Sequence, residues 1–242
     1  ITRDVVYEAI GLHERQALHR RIAAELRAQG AAGGQQAAHE LLAYHDGAAG
    51  DWAGAADHAE AAGDQALAAS ALDRAKKQYR AALAALEHLP GAETQQLRWI
   101  AIAQRFGMAC VFDASRADLR VLQHAARLAH TSEDAALIAR ADYWLGYVSY
   151  ALGQSRSGLT HCERGLAAAE RCADSALSAQ LRGALGQLRT AAADYEPALQ
   201  LLDEAIATQR QHRRPGRLPV GMAYSLACRA HVLGDRGQFA AA

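Results

Sequence analysis

Apolar residues recur along this chain three or four positions apart, and nowhere with the strict alternation of a half-buried strand. The clearest stretch runs from Leu137 to Arg171. Ala141, Leu145, Val148 and Leu152 fall at i, i+4, i+7 and i+11, one stripe of a helix with about 3.6 residues per turn. Gly153-Gln154 interrupts the stripe, and a second helix is predicted from Ser157 to Arg171, with Leu159, Cys162, Leu166 and Ala169 in register. Neither helix could bury its apolar face alone, so the two are expected to fold back on each other as an antiparallel hairpin.

Related hairpins flank this one. Leu145-Gly146 is matched by Leu185-Gly186 forty residues on, Phe106-Gly107 stands thirty-nine residues before it, and Arg229-Ala230 is a degenerate copy after it. A turn follows each pair, at Asp113-Ala114-Ser115, Gly153-Gln154, Ala193-Asp194-Tyr195 and Gly237-Gln238-Phe239. Gly158, Gly165, Ala198 and Ala205 recur in the second helices, where small residues let two backbones approach closely. Upstream, Ile1, Val5 and Ala9 mark one helical face ending at Gly11. A helix follows from about Glu14 to Gln29, with Leu18, Ile22 and Leu26 on its stripe and Gly30 as its cap. Further helices are predicted from Ala37 to Ala49, from Trp52 to about Ser70, and from Asp73 to the stop at Leu89-Pro90-Gly91. The expected fold is all-α, a right-handed α-solenoid with a period near forty residues. Its expected segments are a helical junction over 1–30, divergent helical repeats over 31–92, and regular repeats over 93–242. The last repeat is incomplete at Ala242, so the natural protein is expected to continue.

Leu-Gly, then a Gly or Asp-Tyr turn, then Ala three residues on and another Ala seven later resembles the tetratricopeptide repeat. The best match is Asp194-Tyr195-Glu196-Pro197-Ala198 with Leu199, Leu202 and Ala205. The family's tryptophan position carries Asp142, and the period exceeds the family's usual length of about 34. The string from Thr2 to Ile10, then Glu14-Arg15 and Leu18 to Ala23, resembles the junction between ATPase module and repeat arm in STAND-type signalling ATPases. These include maltose-activator-like LuxR-type transcription regulators and ATPase-linked adenylate or guanylate cyclases. The likeness extends through His39, Ala49-Gly50-Asp51-Trp52 and Tyr79 to Leu86. It implies a fragment of a bacterial, cytoplasmic signalling protein whose ATPase and effector domains lie outside this chain.

Composition narrows the chemistry. Lys plus Arg and Asp plus Glu both total 26, so no global field attracts nucleic acid or acidic lipid, and neither is an expected partner. No apolar run approaches the roughly 20 residues of a membrane span, and the first residues do not form a signal peptide. Cys110, Cys162, Cys172 and Cys228 lack paired spacing and read as buried thiols of a reducing cytosol. The basic stretch Arg210 to Pro219 has no interleaved aromatic residues and reads as a solvated loop. Gly153 to Thr160 mimics a phosphate loop, but Leu159 stands where the essential lysine would be. His39-Glu40 opens a zinc-protease pattern that fails at Ala43, and the other histidines are scattered. No metal, cofactor or catalytic centre is therefore expected, and Glu163 and Glu170 read as solvated exterior residues.

One constellation remains. Tyr143, Tyr147 and Tyr150 span about 60° of a helix, beside Arg140 and roughly opposite the Ala141-Leu145-Val148 stripe. The family resemblance places these positions on a concave groove, and its register adds Gln104, Met108, Gln180, Gln187, Tyr224 and His231. This predicts a sensor or docking arm that binds a protein, peptide or small-molecule inducer. The tyrosines could instead pack against the neighbouring first helix with only their hydroxyls wet. A scaffold for self-assembly without a regulatory ligand is the alternative function.

Overall fold

The computed structural model describes residues 7, 9–30, 38–91, 93–211 and 220–240. Among them every regular element is an α-helix. They are α1 (Leu12–Gly30), α2 (Ala38–Ala49), α3 (Trp52–Ala68), α4 (Leu72–Glu87), α5 (Glu93–Ala109), α6 (Arg116–Thr131), α7 (Ala135–Ala151), α8 (Ser155–Arg171), α9 (Ser175–Ala191), α10 (Tyr195–Gln211) and α11 (Val220–Asp235). Two compact units divide the chain, Ile1–Cys110 and Val111–Ala242. The division falls inside the stretch 93–242 that the periodicity treats as one run of repeats.

The forty-residue period has a local cause. Helices α7, α8, α9 and α10 start at residues 135, 155, 175 and 195 and are each 17 residues long. The joints between them are nearly identical. Gly153, Ala173 and Ala193 adopt left-handed backbone, with φ of 77°, 54° and 57°. The next residue then donates its amide back into the preceding helix: Gln154 to the Ser149 carbonyl, Asp174 to Ala169 and Asp194 to Arg189. This is the Schellman closure of a helix. Asp174 also caps the following helix through the Leu177 amide, so one residue ends one helix and starts the next. Gly50 and Ser70 make the same joint in the first unit, with φ of 81° and 57°.

Such short joints make consecutive helices antiparallel. In the first unit α1, α2, α3, α4 and α5 pack in chain order. Ala55, Ala56, Ala59 and Ala62 of α3 are buried, as are Tyr79, Leu83 and Leu86 of α4, and the two helices pack together. In the second unit α7 pairs with α8 and α9 with α10, while α9 also touches α7 and α11 touches α9. The first helices of successive hairpins therefore lie side by side. Small residues set the crossing between α7 and α8: a Cβ on Gly146 would stand 2.5 Å from Cys162 Sγ and 3.0 Å from the Gly158 carbonyl oxygen. Ala198 and Ala205 are likewise fully buried, as the periodicity predicts.

Several boundaries differ from the expected ones. α7 starts at Ala135 because Asp134 accepts hydrogen bonds from the Ala136 and Leu137 amides, a cap that weighs more than the first apolar residue. α8 starts at Ser155 rather than Ser157, and Gly30 is still helical rather than a cap. The Ile1 and Val5 positions, most of the 30–36 connection and the core of the basic Arg210 to Pro219 stretch lie outside the described residues.

Candidate recognition face

Within the second unit, α7 directs Tyr143, Tyr147 and Tyr150 toward the first helices of the two following hairpins. Tyr143 is hydrogen-bonded with Gln180 of α9, and burial pushes its phenol up to about 12 despite that bond. Its ring lies edge-on to Trp144, centroids 4.8 Å apart, and 6.3 Å from the Tyr147 ring. Burial also raises the Tyr147 phenol, and Tyr224 of α11 stands close enough to raise it further. Tyr150 is raised by burial and then by Cys228 of α11. Three helices from three successive hairpins thus converge on one set of phenol, amide and thiol groups. All three α7 tyrosines are half-buried, and Tyr224 is 44% exposed. Tyr143 packs against Trp144 and Gln180, while Tyr224 leaves its ring open.

The other groove candidates are distributed differently. Gln187 is half-buried on α9. His231 is exposed and lies 3.6 Å from Asp235. Arg140 is half-exposed beside the face, and its guanidinium stands 3.6 Å from Asp174, so a ligand carboxylate would compete with that partner. Gln104 and Met108 belong to α5 in the first unit. Met108 is 48% exposed, and the buried Gln104 Nε2 has no hydrogen-bond partner.

Charged groups cluster away from the tyrosines. Asp142 of α7 is fully buried. Arg164 of α8 donates to it through Nε at 2.8 Å and Nη2 at 2.5 Å. His130 of α6 lies 2.9 Å away and His161 of α8 3.6 Å. Burial works to raise the Asp142 carboxyl, but the Arg164 hydrogen bonds and the imidazoles overcome it and hold the group down to about 2. Sequence reasoning missed this cluster, whose basic members lie 12 to 22 residues from Asp142. Glu163 and Glu170 are not merely solvated: Arg189 and Arg182 of the next helix reach them at 3.1 and 2.7 Å.

The cysteines part company with the expectation of four buried thiols. Cys110 and Cys162 are buried, Cys228 is half-buried, and Cys172 is exposed just past the end of α8. Burial and then Asp142 push the Cys162 thiol up to about 12, which keeps it protonated and a poor nucleophile. An open hollow lies at the start of α8, lined by Gly153 to Ser157, Thr160 and His161. It coincides with the phosphate-loop mimic and offers Arg156 but no lysine. Among the described residues no three His, Cys, Asp or Glu side chains are grouped to hold a metal ion, and no helix is long and apolar enough to cross a membrane.

No family model matches the chain, and no curated protein is similar to it in sequence. Among solved structures, it is similar to BtubC (BKLC) from P. vanneervenii, with a TM-score of 0.58 and 16% identity. That likeness covers 96% of this chain and 86% of the other, and it extends to the helical fold alone.

Proposed function

We propose that this chain is a tetratricopeptide-like α-solenoid arm that recognises a peptide, protein segment or small-molecule inducer through the tyrosine face of α7, α9 and α11. Its place is in a larger cytoplasmic signalling or transcription-regulating ATPase, where binding shifts a repressed–active equilibrium through unequal affinity for the two forms. The observation that carries the reading is the convergence of Tyr143, Tyr147, Tyr150, Gln180 and Tyr224 from three hairpins. Half-buried tyrosines give large contact area at little conformational cost. The junction motifs near the amino terminus support the parent class.

A displayed peptide library selected on the wild-type chain, then rescreened on Tyr147→Ala and Tyr224→Ala, tests the face. Peptides that bind there lose affinity by roughly thirtyfold, the effect of an anchor worth about 2 kcal/mol. Selected peptides that bind both variants undiminished would move recognition elsewhere.

The scaffold alternative rests on a different surface. Leu18 and Ile22 of α1 are 39% and 42% exposed, and Leu41 and Tyr44 of α2 are 49% and 59% exposed. If self-assembly is the function, Leu41→Ser with Tyr44→Ser lowers the oligomer seen by sedimentation velocity and leaves peptide binding intact.

A further inference from the structure

Four histidines of the first unit are not scattered in space. They face one another in two pairs that join α2 to the helices on either side of it. His19 of α1 and His45 of α2 bring their Nδ1 atoms within 2.7 Å, and the Tyr7 hydroxyl lies 2.8 Å from His19 Nε2. His39 of α2 and His58 of α3 bring their Nδ1 atoms within 3.0 Å, and His58 Nε2 lies 3.7 Å from the buried Asp46 carboxylate. Two Nδ1 atoms this close meet only if one carries hydrogen and the other a lone pair. A pair can therefore accept one extra proton on an outer nitrogen. A second proton would point N–H at N–H and bring two cations into contact.

We propose that α1, α2 and α3 form an acid-responsive clasp, in which full protonation of these two imidazole pairs frees α2 from its neighbours while the second unit stays folded. The proposal stands apart from the tyrosine face and does not depend on it.

The surrounding charges decide whether the pairs resist protonation. Carboxylates would favour imidazolium, but those nearby are already engaged by arginines. Arg27 of α1 donates to both oxygens of Asp46 at 2.7 Å and lies 3.8 Å from Asp51. Arg74 of α4 holds Glu40 at 2.7 Å, and Arg98 of α5 holds Asp57 at 2.7 Å. Arg15 of α1 lies over the Tyr7 ring, 5.2 Å from its centre, and adds positive charge beside the first pair. Tyr44 of α2 packs edge-on against His19, which is only 6% exposed. The result is that burial, then His19, lowers His45, while burial lowers His58 against the pull of Asp46.

The sign follows from linkage. A histidine whose folded value is lowered leaves the unfolded or opened state with the greater proton affinity. The clasp is then fully stable above the ordinary imidazole value of about 6.5 and weakens as pH falls below it. The second unit has no such pair among its described residues. Its buried Asp142 is the reverse case, ionised down to about pH 2, so mild acid separates the two units' responses.

The test is hydrogen exchange of the full chain, corrected for intrinsic rates, between about pH 7.5 and about pH 5.5. Protection of α1 and α2 should fall about tenfold per pH unit for each proton taken up, with α9 and α10 unchanged as an internal reference. His45→Gln and His58→Gln should each flatten that dependence. Imidazole nitrogen spectra of the wild-type chain give a second reading that needs no variant, and should show both pairs gaining protons and losing their Nδ1–Nδ1 hydrogen bond over the range in which α2 opens. Equal protection ratios for α2 and α9 across the range would overturn the proposal, as would four imidazoles titrating without any change in α2.

Discussion

Replacing Asp142 with asparagine removes the one charge on which α6, α7 and α8 converge. The folded carboxyl titrates at about 2 against an ordinary 3.8. At about 1.4 kcal/mol per unit, that difference stabilises the fold by about 2.5 kcal/mol at neutral pH. The side chain is 0% exposed, so solvent screening takes little from this figure. Because the folded value is the lower one, the contribution is complete above the unfolded value and disappears as pH falls from about 4 to about 2. Asp142→Asn should therefore cost roughly 2–3 kcal/mol at pH 7, near 10 °C in a unit of this size, and nothing below about pH 2. Urea titrations read by hydrogen exchange of α7 and α8 peptides isolate the second unit. Arg164→Met should cost more than Asp142→Asn at pH 7, since it strands a buried carboxylate whereas the amide substitution strands an arginine that is 46% exposed. Equal costs for the two variants, or an Asp142→Asn penalty that persists at pH 2, would refute the assignment of this stability to the ionised carboxylate.

Further outcomes follow from the crossings, the joints and the face. Gly146→Ala should destabilise by up to about 2 kcal/mol, because overpacking of about 1–3 kcal/mol against Cys162 and the Gly158 carbonyl outweighs the helix-propensity gain of about 1 kcal/mol. Gly234→Ala, with no atom within 4 Å of the added carbon, should stabilise by up to about 1 kcal/mol; thermal melts distinguish the two signs. Ala173→Gly and Ala193→Gly should each raise stability by about 0.5–1 kcal/mol, since left-handed alanine costs more than the extra freedom of glycine in the unfolded chain. Tyr224→Ala should leave the melting temperature within about 2 °C, whereas Tyr143→Ala should lower it clearly; equal losses would mean that both rings are packing residues.

The helices and their period are visible in the sequence because they are local. A twenty-residue helix-and-joint unit repeats its apolar stripe and its left-handed residue within one stretch of chain. The left-handed site is concealed where alanine occupies it, at Ala173 and Ala193, which is why the joint after α8 carries no glycine signal. The apolar stripe does not mark a helix start where a polar cap such as Asp134 precedes the first apolar residue. The Asp142 cluster and the histidine pairs depend on which turn of one helix faces which turn of another. Apolar periodicity identifies the buried stripe but not that register. His39 and His45, six residues apart, lie on different sides of α2 and look unrelated until α1 and α3 supply their partners. Cys228 reads in the sequence as one more buried thiol for the same reason: its place beside Tyr150 exists only when α11 lies next to α9.

The register also explains why the tyrosine face carries so little free charge. Along the second unit, carboxylates of one hairpin's second helix are taken up by arginines of the next first helix: Glu163 by Arg189, Glu170 by Arg182 and Asp203 by Arg229. Arg182 continues to Glu204 at 3.0 Å, so α8, α9 and α10 share one charge ladder. These are partly exposed pairs, each worth at most about 1 kcal/mol, yet together they consume charge on the sides where hairpins stack. Tyr143, Tyr147, Tyr150, Gln180 and Tyr224 are left with rings, hydroxyls and an amide, and Arg140 is already near Asp174. A highly charged ligand would have to lose its water there without gaining a free counter-charge, a cost that grows with burial. An uncharged segment, apolar on one side and presenting main-chain polar groups on the other, would lose much less. The same residues that hold the hairpins together thus leave the face between them with little free charge.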